Sequence, residues 1–345
     1  MQVVQVHQYC WSFNKPYFDR LMITLTTNAA LSSNDAHHAN DNFILSSMPT
    51  SKLPMPESSF KEKARRHQIK FRENILKVGY SALETILRDE DAKTGLIFFD
   101  GFRVIEAALD RYPHYKLQQA CFANMLRSEH IPFNFFIPLS KNKEVGRAVL
   151  NKFLGGTVSL ISDVRIEYAP DQAKALMDKT SFDVFIEYKH KSGEYGVLGI
   201  VVKYTEKEYR LIKKSKEEME INLESSIYNI LTAKSGLYKN EFLPELKIDK
   251  FRQLWRNQLL GESLTNRNHP DSRYKYFTSI ILYPSGNEHF NELIPAYKNF
   301  LAPGHEQSFT GITYEEFIKA GGEVTEDTEF LRWLQYLEDR YIVQS

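Results

Sequence analysis

Two runs of alternating character, FDVFIEYKH (Phe182–His190) and EYGVLGIVVKY (Glu194–Tyr204), are separated only by Lys191, Ser192 and Gly193. A period of two over eight or more residues is the pattern of a β-strand, and two such runs three residues apart define a hairpin. A loop of that length favours glycine at its left-handed position, which predicts a positive φ at Gly193. His190 then opposes Glu194, and stepping outwards by one residue on each strand sets Asp183 opposite Val201. Phe182, Val184, Ile186 and Tyr188 share an apolar face with Leu198, Ile200, Val202 and Tyr204. Asp183, Phe185 and Glu187 share the other with Val197, Gly199, Val201 and Lys203.

The second face therefore carries Asp183, Glu187 and Lys203 close together. Carboxylates beside a lysine on a hairpin form an ordinary cross-strand ion pair in most proteins. The chemical alternative is phosphodiester hydrolysis, which needs a divalent cation held by carboxylates and gains from a lysine that orients or activates water. Spacing alone leaves both readings open.

Around the hairpin the chain reads as α/β. VSLISDVRIEYAP, from Val158, is a strand preceding the hairpin. Residues 1–58 are expected to be a flexible arm, because Thr26 to Ser59 is rich in Ser, Asn and Pro and has too little apolar content to offset chain entropy. The domain proper then spans 59–345. A helix opens at Ser59, with Glu62 at capping-box spacing, and is expected to continue to about Glu90. It holds the most basic stretch of the chain, from Lys61 to Arg72. Further helices are expected over Phe102–Arg111, Tyr115–Arg127, and a single one through KSKEEMEINLESSIYNILTAK. In FRQLWRNQLLGES, Gln253, Arg256 and Asn257 form a polar stripe while Leu254, Trp255 and Leu259 point to the core. YPSGN, from Tyr283, is a turn between a strand and a helix. EDTEFLRWLQYLEDRYI is an amphipathic helix whose packing stripe is Phe330, Leu331, Trp333, Leu334 and Leu337.

Composition narrows the function classes. With 345 residues, 42% of them hydrophobic, the chain can bury a large core. Its 44 basic and 44 acidic side chains cancel, so any nucleic acid must be met by a local basic surface. Cys10 and Cys121 give neither a disulfide framework nor a CxxC metal site. No run of about 18 apolar residues or secretory signal pattern is present, and the expectation is a cytoplasmic protein. No Walker-type loop, HExxH or GxSxG occurs.

Asp183 followed by GIVVKYTE resembles the core of the PD-(D/E)XK nuclease superfamily, whose second motif is an acid, any residue, then lysine. GLIFFDGFRVIEAALDRYP, ANMLRSEHIPFNFFIPL, FDVFIEYKHKSGEYGVLGIVVKYTEKEY, FRQLWRNQLLGES and FTSIILYPSGNEHF resemble, in order, one bacterial family of restriction-endonuclease-like proteins. The resemblance runs from about Gly95 to Phe290. It implies a restriction-endonuclease-like fold: a helix, a mixed central sheet flanked by helices, and a helix packed after the motif strands. By position it makes Asp183 the metal-binding aspartate and Lys203 the motif lysine. Glu129 is its candidate for a further acid on the first core helix, and Mg²⁺ or Mn²⁺ is the expected cofactor. DNA is the implied partner, with Gln253, Arg256, Arg210 and Lys213 as candidate contacts, and a homodimer is the family expectation.

The sequence departs from the motif where it matters most. Val201 occupies the position of the motif acid, and valine cannot ligate a hard cation. Three readings follow: an inactive nuclease fold that binds DNA or a protein partner, a substitution confined to this copy where the parent had glutamate, or a metal-dependent DNA endonuclease in which another carboxylate has taken over. Among replacements, Glu187 lies roughly 13 Å along the strand from Asp183. Glu206 has the wrong parity unless the strand ends by Tyr204 and the chain curls back. Glu218, Glu220 and Glu224 lie on the helix that follows, with Glu224 the most central.

Overall fold

The computed structural model describes residues 59–114, 118–171, 175–176, 180–208, 211–213, 215–269 and 272–343. The arm expected over 1–58 lies outside them. The centre is a five-stranded sheet in the order β1 (Val158–Tyr168), β2 (Phe182–His190), β3 (Tyr195–Val202), β4 (Tyr274–Tyr283) and β5 (Phe309–Thr313). β1, β2 and β3 pair antiparallel, while β3, β4 and β5 run parallel, so the sheet is mixed as expected. The hairpin has the predicted register: the His190 amide donates to the Glu194 carbonyl at 2.8 Å, and Val184 opposes Ile200. Gly193 sits at φ 92°, a conformation that costs glycine little.

One feature of the hairpin differs from the alternation reading. The face bearing Asp183 and Lys203 is not a solvated polar face. Val184, Ile186, Leu198, Ile200 and Val202 pack into one apolar layer with Phe135, Trp333 and Leu337. Phe185, Val197 and Ile281 pack into a second, with Leu254, Trp255 and Leu259. Parallel strands are joined by crossovers that place helices on both faces, and β3 becomes such a strand once β4 pairs with it. Phe182 also changes side, since its ring fills the space over Gly199, where a Cβ would come within 2.3 Å of it. Glu187 remains on this face, 3% exposed, and its carboxylate takes the Arg273 guanidinium and the Tyr274 hydroxyl, the latter at 2.6 Å.

The longer helices are α1 (Phe60–Phe71), α2 (Val104–Arg111), α3 (Ile131–Lys141), α4 (Lys143–Phe153), α5 (Lys216–Asn222), α6 (Ile227–Ser235), α7 (Asp249–Ser263), α8 (His289–Phe300), α9 (Tyr314–Gly322) and α10 (Thr328–Tyr341). α1 starts at the predicted residue, but Ser59 makes no side-chain cap bond, and helical structure stops at Lys77, which turns left-handed at φ 55°. The helix therefore does not reach Glu90. Over Tyr115–Arg127 the described helix is only Gln119–Ala123, and IPFNFFIPL, left unassigned by its lack of period, is the buried helix α3. The single helix expected after the hairpin is two, α5 and α6, because the Ser226 hydroxyl caps a fresh start. In α10, Phe330, Trp333, Leu334 and Leu337 are buried as read, whereas Leu331 is exposed.

Candidate functional site

β3, β4 and β5 end together, and their carboxyl ends meet the end of β1 and the start of β2. One row of residues crosses the sheet there. Ile166 pairs with Val184 and Tyr168 with Phe182, which sets Glu167 opposite Asp183. Continuing the β2–β3 register sets Asp183 opposite Val201; Val201 pairs with Ile281, and Ile281 with Gly311. From edge to edge the row reads Glu167, Asp183, Val201, Ile281, Gly311. Directly opposed residues share a face with Cβ atoms about 5 Å apart.

Asp183 is partly buried, and its Oδ2 accepts the Val202 amide at 2.6 Å. Burial raises its pKa to about 6; the charge of Lys203 and the Val202 amide pull the other way, and Glu129 and Glu206 add to the rise. Glu167 is pushed further, to about 8, by burial first and by Asp183 second, with Arg111 opposing. It keeps a little solvent contact, but enough protein surrounds it for desolvation to dominate. Burial and like charge both disfavour the ionised form, so the two facing carboxyls together hold a proton well above the ordinary carboxylate range.

Lys203 follows the last residue of β3, and its backbone is fixed from two sides. Its amide donates to the Leu282 carbonyl at 2.9 Å, and the Tyr314 hydroxyl donates to its carbonyl at 2.5 Å. The loop beyond is tied down by Asn287, whose amide donates to the Tyr204 and Glu206 carbonyls, both at 3.0 Å. The YPSGN turn thus holds the lysine loop as well as joining β4 to α8. Glu206 does curl back, because β3 ends at Val202. Its carboxylate, however, accepts the Tyr204 amide at 3.0 Å and the Ser128 amide at 3.2 Å.

The remaining candidates are distributed as follows. Glu129 lies in the turn that leads into α3, not on a helix, and both of its oxygens are held by the Arg127 guanidinium. It acts on Asp183 and Glu167 through charge. Arg256 is buried rather than presented to a ligand: its guanidinium donates to Tyr228 and Thr180, both at 3.0 Å, and to Glu217 at 2.7 Å. Because Thr180 lies just before β2, this arginine braces the approach to Asp183. Gln253 is half-buried and Lys213 exposed, while Arg210 lies outside the described residues. Glu224 is exposed between α5 and α6. Val201 is 2% exposed.

Sequence reasoning passed over Glu167. It lies in SDVRIEYAP at odd parity with Asp163 and Arg165, a faint signal that the strand has a polar face. What it lacked was register, since no tight turn fixes how β1 meets β2.

A family model for the PD-(D/E)XK nuclease superfamily matches residues 56–343. This covers most of the chain, and the protein belongs to that superfamily, as its mixed sheet and the placement of Asp183 and Lys203 lead one to expect. No curated protein and no solved structure gives a significant match.

Nucleases of this superfamily generally use divalent metals. Among the described residues, no group of three or more His, Cys, Asp or Glu converges closely enough to hold a metal ion. Two facing carboxylates still suit a hard cation, because Mg²⁺ takes one or two carboxylates and keeps water for its other positions. The donor set therefore fits a magnesium-like ion and no softer metal.

Proposed function

We propose that the protein is a metal-dependent endodeoxyribonuclease, with Asp183 and Lys203 as its catalytic pair and Mg²⁺ or Mn²⁺ as its cofactor. The observation that carries this is the meeting of Asp183, at the start of β2, with Lys203, just past β3, in a chain of the PD-(D/E)XK superfamily. A bound divalent cation would stabilise negative charge developing at phosphorus and sharpen the acidity of a water. Asp183 would hold that ion through the oxygen edge not taken by Val202. Lys203, on a backbone pinned by Leu282 and Tyr314, would orient the attacking water and offset charge on the phosphate. Glu129, already held by Arg127, supports the site by its field. DNA would be met by side chains such as Gln253 and Lys213, and Arg210 remains a candidate contact from the sequence. Arg256 acts as a brace. Two copies would allow both strands to be cut, which sedimentation in the presence of duplex DNA would test.

The buried Val201 favours a second reading, an inactive nuclease fold retained for binding DNA or a protein partner. One experiment separates the two. The protein, Val201→Glu and Asp183→Ala are incubated with plasmid DNA under Mg²⁺, Mn²⁺ or chelator, with folding checked by circular dichroism. Metal-dependent cleavage by the unaltered protein, lost in Asp183→Ala, is expected. Cleavage by Val201→Glu alone would mark a site disabled at that position. Silence from both folded proteins would favour the binding reading.

A further inference from the structure

We propose that Glu167 is the second carboxylate of this site, standing in for the acid that Val201 lacks, so that a divalent cation is held from the β1 side of Asp183 rather than the β3 side. The inference rests on the metal-dependent reading above and adds a residue to it.

A strand has two neighbours, so only two residues can directly oppose Asp183. One is Val201, the other Glu167. Antiparallel pairing puts opposed side chains on the same face, so a carboxylate missing on one flank can be replaced from the other without moving Asp183.

The competing carboxylates are occupied. Glu187 is bound to Arg273 and Tyr274, Glu129 to Arg127, and Glu206 to two backbone amides. Among the described residues, the Glu167 carboxylate has no hydrogen bond or ion pair, and the residue is partly buried. A partly buried acid opposite a second acid, with no hydrogen-bond partner for its carboxylate, offers oxygen ligands that suit a hard cation.

The backbone adds a separate observation. Glu167 has φ 54°, left-handed, at the next-to-last position of β1, between the paired residues Ile166 and Tyr168. The other non-glycine residues with positive φ among those described are Lys77, Phe102 and Arg103, all at helix ends or turns. A glutamate in this region costs about 1 kcal/mol or more. It is held by Arg111, at the end of α2, which donates to the Glu167 carbonyl at 3.0 Å. That bond fixes the backbone of Glu167 where β1 meets the start of β2.

Mn²⁺ binding to the full-length protein, followed by calorimetry without DNA, tests this independently of cleavage. The variants are Glu167→Gln, Glu167→Asn, Glu167→Asp and Asp183→Asn, each confirmed folded by its thermal transition. Asparagine tolerates the left-handed region better than most residues, so Glu167→Asn removes the charge while retaining the backbone. We expect Glu167→Gln and Glu167→Asn to weaken Mn²⁺ binding by about tenfold or more, with Glu167→Asp closer to the unaltered protein. If Glu167→Asn and Glu167→Gln bind Mn²⁺ as tightly as the unaltered protein while Asp183→Asn does not, the role of Glu167 is overturned and that of Asp183 stands. If the unaltered protein binds no Mn²⁺ at millimolar concentration, both fall.

Discussion

Asp183 and Glu187 lie on one face of one strand, four residues apart, and they have been treated oppositely by the fold. Glu187 is almost fully buried and fully answered: Arg273 supplies charge, and Tyr274 supplies a hydroxyl. Asp183 receives one backbone amide and the charge of Lys203 without a direct ion pair, and faces a second acid. A carboxylate used for stability is neutralised by its neighbours. One left crowded and under-compensated is costly to keep, and such groups cluster at sites that bind or react. The contrast separates a structural ion pair from the proposed site where strand position alone could not.

The sharpest way to break the comparison is to neutralise each acid in turn and read cleavage. Asp183→Asn should lower metal-dependent cleavage by roughly a hundredfold or more, whereas Glu187→Gln should leave it within about threefold. Equal losses would erase the distinction.

Arg256 braces Thr180, just ahead of Asp183. Arg256→Ala removes the bonds to Tyr228, Thr180 and Glu217 from a buried guanidinium and should cost about 2–3 kcal/mol in urea unfolding, with no change in the salt dependence of DNA binding. A reduced salt slope would instead return Arg256 to the DNA contacts.

Stability should reverse the order of the two acids. Glu187→Gln should destabilise by about 1–2 kcal/mol, because a charge-assisted pair is lost while the largely exposed Arg273 returns to water. Asp183→Asn keeps an oxygen for the Val202 amide and removes a like charge, so its unfolding midpoint in chelator should hold or rise.

The pH dependence sharpens the same contrast. Both carboxyls of the facing pair bind a proton more tightly folded than unfolded, where carboxyls titrate near 4. Their contribution is fully present below that value and is lost as pH rises through about 6 and then about 8. The metal-free protein should therefore show a falling thermal midpoint between pH 5 and pH 8, flattened in Glu167→Gln and opposed by added Mn²⁺. The smallest effect belongs to Lys213, which is exposed: Lys213→Ala should reduce the salt slope of DNA binding by about one and leave cleavage of bound DNA unchanged.

Local pattern determined a good part of this protein. The three-residue loop and period of two specified the hairpin, the left turn at Gly193 and the opposition of Asp183 to Val201, because those are short-range constraints with few alternatives. The 3.6-residue stripe did the same for Leu254, Trp255 and Leu259 of α7 and most of α10, whereas Arg256 and Asn257 of the expected polar stripe are buried. The helix of IPFNFFIPL was not legible, since a segment buried on all sides carries no period.

Tertiary structure decided the rest. It covered the supposedly polar face with α7, gave Glu187 its partners from 86 and 87 residues away, and folded Arg256 inwards onto Thr180. Above all it set Glu167 beside Asp183. The register of two strands joined by a long connection depends on everything packed around them, so no local pattern in the sequence could have named that neighbour.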